Sequence, residues 1–110
     1  MKLPNSNRTI INSQKLTGYC LNFSHPDGKH KAHVFKSVLD LDISNVDELI
    51  ETLLEAVIKF DAFPGKRNRY GQKYIIDFPM TRNEKTATIR SVWIVKNQED
   101  FPRLVTCYVI

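Results

Sequence analysis

Ser44-Asn45-Val46-Asp47-Glu48-Leu49-Ile50-Glu51-Thr52-Leu53-Leu54-Glu55-Ala56-Val57-Ile58 is the stretch on which the fold turns. Val46, Leu49, Ile50, Leu53, Leu54, Val57 and Ile58 recur at helical spacing and form one apolar stripe. Asp47, Glu48, Glu51 and Glu55 fill the outer face, and their concentration near the start suits the positive end of the helix dipole. Ser44 to Asp47 reads as a capping box with Asp in place of the usual Glu. The stretch predicts a helix that packs on a core.

Upstream, Leu16, Tyr19 and Cys20 share one side of an expected short helix over residues 13–21, with Ser13 as its cap. Pro26 and Asp27-Gly28 break the chain. A second helix is expected from Lys29 to Leu39, with Ala32, Phe35, Val38 and Leu39 inward and Lys29, His30, His33, Lys36 and Ser37 outward.

Downstream, the period changes from helical to alternating. Pro64-Gly65 predicts a turn, and residues 66–71 a basic loop. Strands are expected over 72–79, 86–95 and 103–110. In the last, Val105, Cys107 and Val109 are expected on one face, and Leu104, Thr106, Tyr108 and Ile110 on the other. Helices followed by strands predict a single α+β domain over residues 1–110, with two to three N-terminal helices on an antiparallel sheet of three to four strands.

Composition narrows the function classes. A chain of 110 residues, 42% hydrophobic and 25% charged, suits one folded domain. No apolar run is long enough to span a bilayer. Met1-Lys2-Leu3-Pro4-Asn5 lacks the apolar centre of a signal peptide, which predicts a cytoplasmic protein without membrane partners. Cys20 and Cys107 have no metal-type spacing and are expected as reduced, partly buried thiols. The net charge of +4 is distributed in blocks. Residues 1–39 and 62–110 are basic, and residues 40–61 are acidic. Two basic blocks could meet in a polyanion-binding surface.

All three histidines lie between His25 and His33, and Lys29 and Lys31 flank His30. Histidine exchanges protons near neutrality, and lysines attract phosphate. The alternative is a solvated polar helix face. No carboxylate or cysteine completes a metal-ligand spacing with these histidines, so neither metal nor cofactor is expected. There is no Gly-x-Ser-x-Gly elbow, phosphate loop or dinucleotide fingerprint.

Metal-independent RNA cleavage requires few parts. A base takes the 2′-hydroxyl proton, cations hold the phosphorane charge, and an acid protonates the 5′-oxygen. The candidate catalytic set is His30, Lys31, Arg90, Thr106 and Tyr108. Lys29, His33, Arg67 and Arg69 are candidate substrate-binding residues. His30 would be base or acid, Arg90 would stabilise the phosphorane, and Thr106 and Tyr108 would position phosphate. The competing expectation is a non-enzymatic protein-interaction module. It predicts that His30 and Arg90 lie far apart and that there is no basic cleft.

Several motifs carry a resemblance. They are Tyr19-Cys20-Leu21-Asn22, His25-Pro26-x-Gly28-x-His30-Lys31-Ala32-x-Val34-Phe35, Tyr70-Gly71-Gln72, Asp77-Phe78-Pro79, Arg90-Ser91-x-Trp93-Ile94-Val95 and Asp100-Phe101-Pro102-Arg103-Leu104-Val105-Thr106-Cys107-Tyr108. On these the chain resembles a small family of bacterial domains of unknown function, whose relatives look like toxin modules of toxin–immunity and toxin–antitoxin systems. The order of helices then sheet is similar to the barnase/EndoU/colicin/RelE ribonuclease superfamily. That resemblance implies an RNA substrate, an acidic antitoxin or immunity partner, and roles for His30, Lys31, Arg90, Thr106 and Tyr108. No complete catalytic set of any one superfamily member maps onto the chain.

Overall fold

A computed structural model describes residues 1–110. Two α-helices, α1 (Gly28–Leu39) and α2 (Val46–Lys59), precede four strands: β1 (Phe63–Asn68), β2 (Gly71–Arg82), β3 (Lys85–Lys96) and β4 (Arg103–Val109). The strands form one antiparallel sheet in sequential order, so β1 and β4 are its edges. The helices cover one face. Ile76, Phe78, Ile89 and Trp93 on that face pack in one buried cluster with Phe35 and Leu39 of α1 and Leu49, Leu53 and Val57 of α2.

The sheet core contains one buried polar pair. Trp93 Nε1 donates to Ser91 Oγ at 2.9 Å, and Ser91 Oγ donates to the Ile76 carbonyl at 2.8 Å. The indole N–H is thus satisfied without water.

The α+β architecture is as the periodicity implies, with local differences. Residues 63–68, read as a turn and basic loop, form β1. Pro64 is compatible with a strand here because β1 is an edge, where a missing N–H leaves no partner unsatisfied. The box before α2 is built on Asp42 instead of Ser44. Asp42 accepts from the Ser44 and Asn45 N–H groups, and its own N–H donates to Asn45 Oδ1. A 3₁₀ turn, Ile43–Asn45, then leads into α2. Leu54 and Ile58 fall outside the buried stripe, because Leu49, Leu53, Ala56 and Val57 already fill the sheet-facing side.

The expected helix over 13–21 is a π-helical turn, Leu16–Cys20. It lies so close to the start of α1 that a Cβ on Gly28 would overlap the Tyr19 carbonyl. Before it, the chain runs beside β4. Ile10 N–H donates to the Pro102 carbonyl, and Leu104 N–H donates to the Ile10 carbonyl.

The expected alternation in β4 is interrupted. Val92 opposes Thr106, but Trp93 opposes Leu104, so Val105 is an extra residue in the strand. The bulge resets the parity, and both Leu104 and Cys107 are buried.

Candidate functional site

The bulged β4, the π-helical turn, α1 and the segment before the turn enclose a cleft of about 560 Å³. Asn12, Gln14, Lys15, Tyr19, Lys31, Val105 and Thr106 line it. This volume falls in the range of small-ligand sites. A smaller cleft of about 220 Å³ adjoins it and shares Asn12, Lys15 and Val105.

Lys31 is the organising cation. Its Nζ donates to Tyr19 Oη at 2.8 Å. It also lies 4.5 Å from the Tyr19 ring centre and 5.4 Å from that of Tyr108. The two aromatic faces hold the ammonium electrostatically while leaving its charge unneutralised. Lys31 forms no ion pair with a carboxylate, whereas Lys36, on the same helix, pairs with Asp40 and Asp42.

A pair of thiols lies beneath the cleft. Cys20 Sγ is 3.4 Å from Thr106 Oγ1, and both Cys20 and Cys107 are free and buried. The Cys20 thiol is lowered to about 6, chiefly because the Cys107 thiol donates to its sulfur, with help from Thr106 and the Lys31 charge. Cys107 is pushed well above the ordinary thiol range by the same contact and by burial. Both thiols were expected to be only partly buried, and both are fully buried, Cys107 standing opposite the buried Ser91 of β3.

On β3, Arg90 stands opposite both Asp77 and Tyr108. It donates twice to the Asp77 carboxylate, Nε to Oδ1 and Nη2 to Oδ2, each at 2.9 Å. Asp77, and secondarily Tyr108, raises the Arg90 pKa above its already high ordinary value, so the guanidinium stays charged.

The histidines separate. His25 Nδ1 accepts from the Asp27 and Gly28 N–H groups and so caps the start of α1. His33 packs against Phe23, with ring centres 4.9 Å apart. His30 and Lys29 are exposed on α1. Arg67 donates to Asn97 Oδ1, and Arg69 to Tyr70 Oη. Both lie at the β1–β2 end of the sheet, away from the β4 edge.

Thus Lys31, Thr106 and Tyr108 come together, with Arg90 beside Tyr108. Sequence reasoning missed Asn12, Gln14, Lys15, Asp77 and the central place of Tyr19. Tyr19 was visible as part of a motif. Asn12, Gln14 and Lys15 lie in a polar segment with no period to mark them.

Comparison with known proteins places the chain. Residues 2–110 match the model of a family described as a domain of unknown function, DUF6883. The chain belongs to DUF6883. No curated protein matches the sequence. The DUF6883 chain is similar in structure to a chain of a contact-dependent growth inhibition toxin–immunity protein complex from Klebsiella pneumoniae 342. The TM-score is 0.66 at 17% identity, over 92% of this chain and 99% of the other. At that identity the likeness concerns the fold. No helix of this DUF6883 domain is long and apolar enough to cross a membrane.

Proposed function

We propose that this domain is the toxin-like module of a bacterial toxin–immunity or toxin–antitoxin system, and that it binds and cleaves RNA without metal at the Lys31 cleft. The observation that carries the reading is the Lys31 ammonium, which is held between Tyr19 and Tyr108 at a cleft with no acidic lining residue. Such a site suits a phosphodiester. Likeness of fold to a chain of a toxin–immunity complex supports the biological setting.

In this reading Lys31 and Arg90 stabilise the phosphorane, and the Thr106 and Tyr108 hydroxyls orient the phosphate. His30 would be the general base or acid; it faces solvent on α1 outside the cleft lining, so the strand to be cut would have to run from the cleft over that face. Two observations favour it over the other histidines: His25 is committed to capping α1, and His33 packs on Phe23. Lys29 and His33 would extend the substrate contact along α1, whereas Arg67 and Arg69 would contact only RNA that reaches the far side of the sheet. An acidic immunity or antitoxin protein would block the cleft by setting carboxylates against its lysines.

The test is RNA cleavage by purified protein in EDTA, alongside growth arrest on expression without a partner. Lys31→Met and His30→Ala should each abolish both effects with the melting temperature preserved. A wild-type protein that neither cuts RNA nor arrests growth would leave the interaction-module reading in its place.

A further inference from the structure

The two adjoining clefts share Asn12, Lys15 and Val105, so they form a continuous depression along the β4 edge. The larger contributes Lys31 and the smaller Lys96 and Arg103, with Lys15 at the junction. Arg103 is held by Glu99, to which it donates twice at 2.7 and 2.8 Å. Lys15, Lys31 and Lys96 make no ion pair with a carboxylate, although the chain forms nine ion pairs, Arg103–Glu99 among them. No Asp or Glu lines either cleft. Glu99, the partner of Arg103, also attracts Lys96 across the rim, so Lys15 and Lys31 are the fully unneutralised ammonium groups. Several cations spaced along one depression still match a chain of phosphates better than a single anion.

The floor and rim are suited to bases. Asn12 uses its Oδ1 to accept from the Gln14 N–H, which fixes the carboxamide and leaves its Nδ2 donors free. The Gln14 carboxamide lines the larger cleft as well. Carboxamides can donate to and accept from the edge of an unpaired base. A duplex presents its bases inside and cannot lower one into a cleft of this size without unpairing.

We infer that the β4-edge depression is a track for single-stranded RNA, with Lys31, Lys15 and Lys96 on successive phosphates and Asn12 and Gln14 reading an unpaired base. This rests on the proposed RNA reading and deepens it. The segment 12–15, held against β4 through Ile10, becomes the part of the fold that selects substrate.

Binding is separable from cleavage. A fluorescent 2′-O-methyl RNA octamer without self-pairing cannot be cut through its 2′-oxygen, and its binding can be followed by anisotropy across a salt series. The octamer should bind more tightly than a blunt duplex of the same length. Lys15→Ala and Lys96→Ala should each weaken it by about fivefold and make the salt dependence shallower by about 0.7 in logarithmic slope. Lys85→Ala, at the start of β3 and outside both clefts, should bind as wild type. Asn12→Ala with Gln14→Ala should equalise octamers that differ in base composition. Equal binding of duplex and single strand, no binding, or wild-type binding by the Lys15 and Lys96 variants would overturn the track. Unmodified RNA that is cut in the same cases would leave the cleavage reading standing. Binding that follows the expected pattern without cleavage would support the track and overturn the catalytic reading.

Discussion

Arg90 and Asp77 face each other across β2 and β3 and share two parallel hydrogen bonds of 2.9 Å on the face of the sheet away from the helices. The fork geometry fixes the guanidinium plane beside Tyr108, which Arg90 opposes on its other side. Arg90→Lys keeps the charge but cannot reproduce the paired bonds. Because both side chains are partly exposed, it should leave the melting temperature almost unchanged. RNA cleavage should fall sharply if the planar cation contacts the phosphorane. Cleavage at wild-type rate in Arg90→Lys would remove Arg90 from the site.

The thiol pair supplies a spectroscopic prediction. Cys20 should ionise near pH 6, seen as a rise in thiolate absorbance equivalent to one sulfur. Cys107→Ala removes the S–H that donates to Cys20, so the midpoint should move up toward about 8.5, the ordinary thiol value. Lys31→Met should move it in the same direction by less, because its charge is the smallest of the effects that lower Cys20. A midpoint unchanged by Cys107→Ala would show that the two sulfurs do not communicate.

Acid stability should depend on Asp42. Hydrogen bonds from Ser44 and then Lys36 hold its carboxyl down to about 2. The folded pKa lies below the unfolded one, so the contribution to stability is complete above about pH 4 and is lost as the pH falls toward 2. The melting temperature of Asp42→Asn should therefore start lower at neutral pH and fall less over that window. A parallel fall in both proteins would mean that Asp42 is not coupled to folding.

The core should separate buried from exposed changes. Leu53 is fully buried, and Leu53→Ala should destabilise by about 2–5 kcal/mol in urea unfolding. Glu51 lies on the exposed face of α2, and Glu51→Ala should change stability little. Ser91→Ala leaves the Trp93 indole N–H without its acceptor in a buried site, which should cost about 1–3 kcal/mol despite the small change in volume. Equal effects for all three would contradict the packing described.

Local periodicity determined the order and type of the major elements. A side chain's place on a helix or strand depends on spacing along the chain, so Ala32, Phe35 and Leu39 of α1 and Leu49, Leu53 and Val57 of α2 could be read as core directly. The alternation of Tyr74, Ile76 and Phe78 with Ile75 and Asp77 likewise separates the two faces of β2, and the structure buries Ile76 and Phe78. Edge effects escaped this reading. Pro64 suggests a turn until β1 is known to be an edge strand, and the extra residue Val105 resets β4 only because of what lies opposite on β3.

The site belongs to the tertiary structure. Cys20 and Thr106 are 86 residues apart in sequence and 3.4 Å apart in space. Lys29, His30 and Lys31 look equivalent as neighbours in sequence, yet Lys31 meets both Tyr19 and Tyr108 while the other two face solvent. A helix turns about 100° per residue, so adjacent side chains diverge, and only the packing of α1 against the π-helical turn and β4 decides which one enters the cleft.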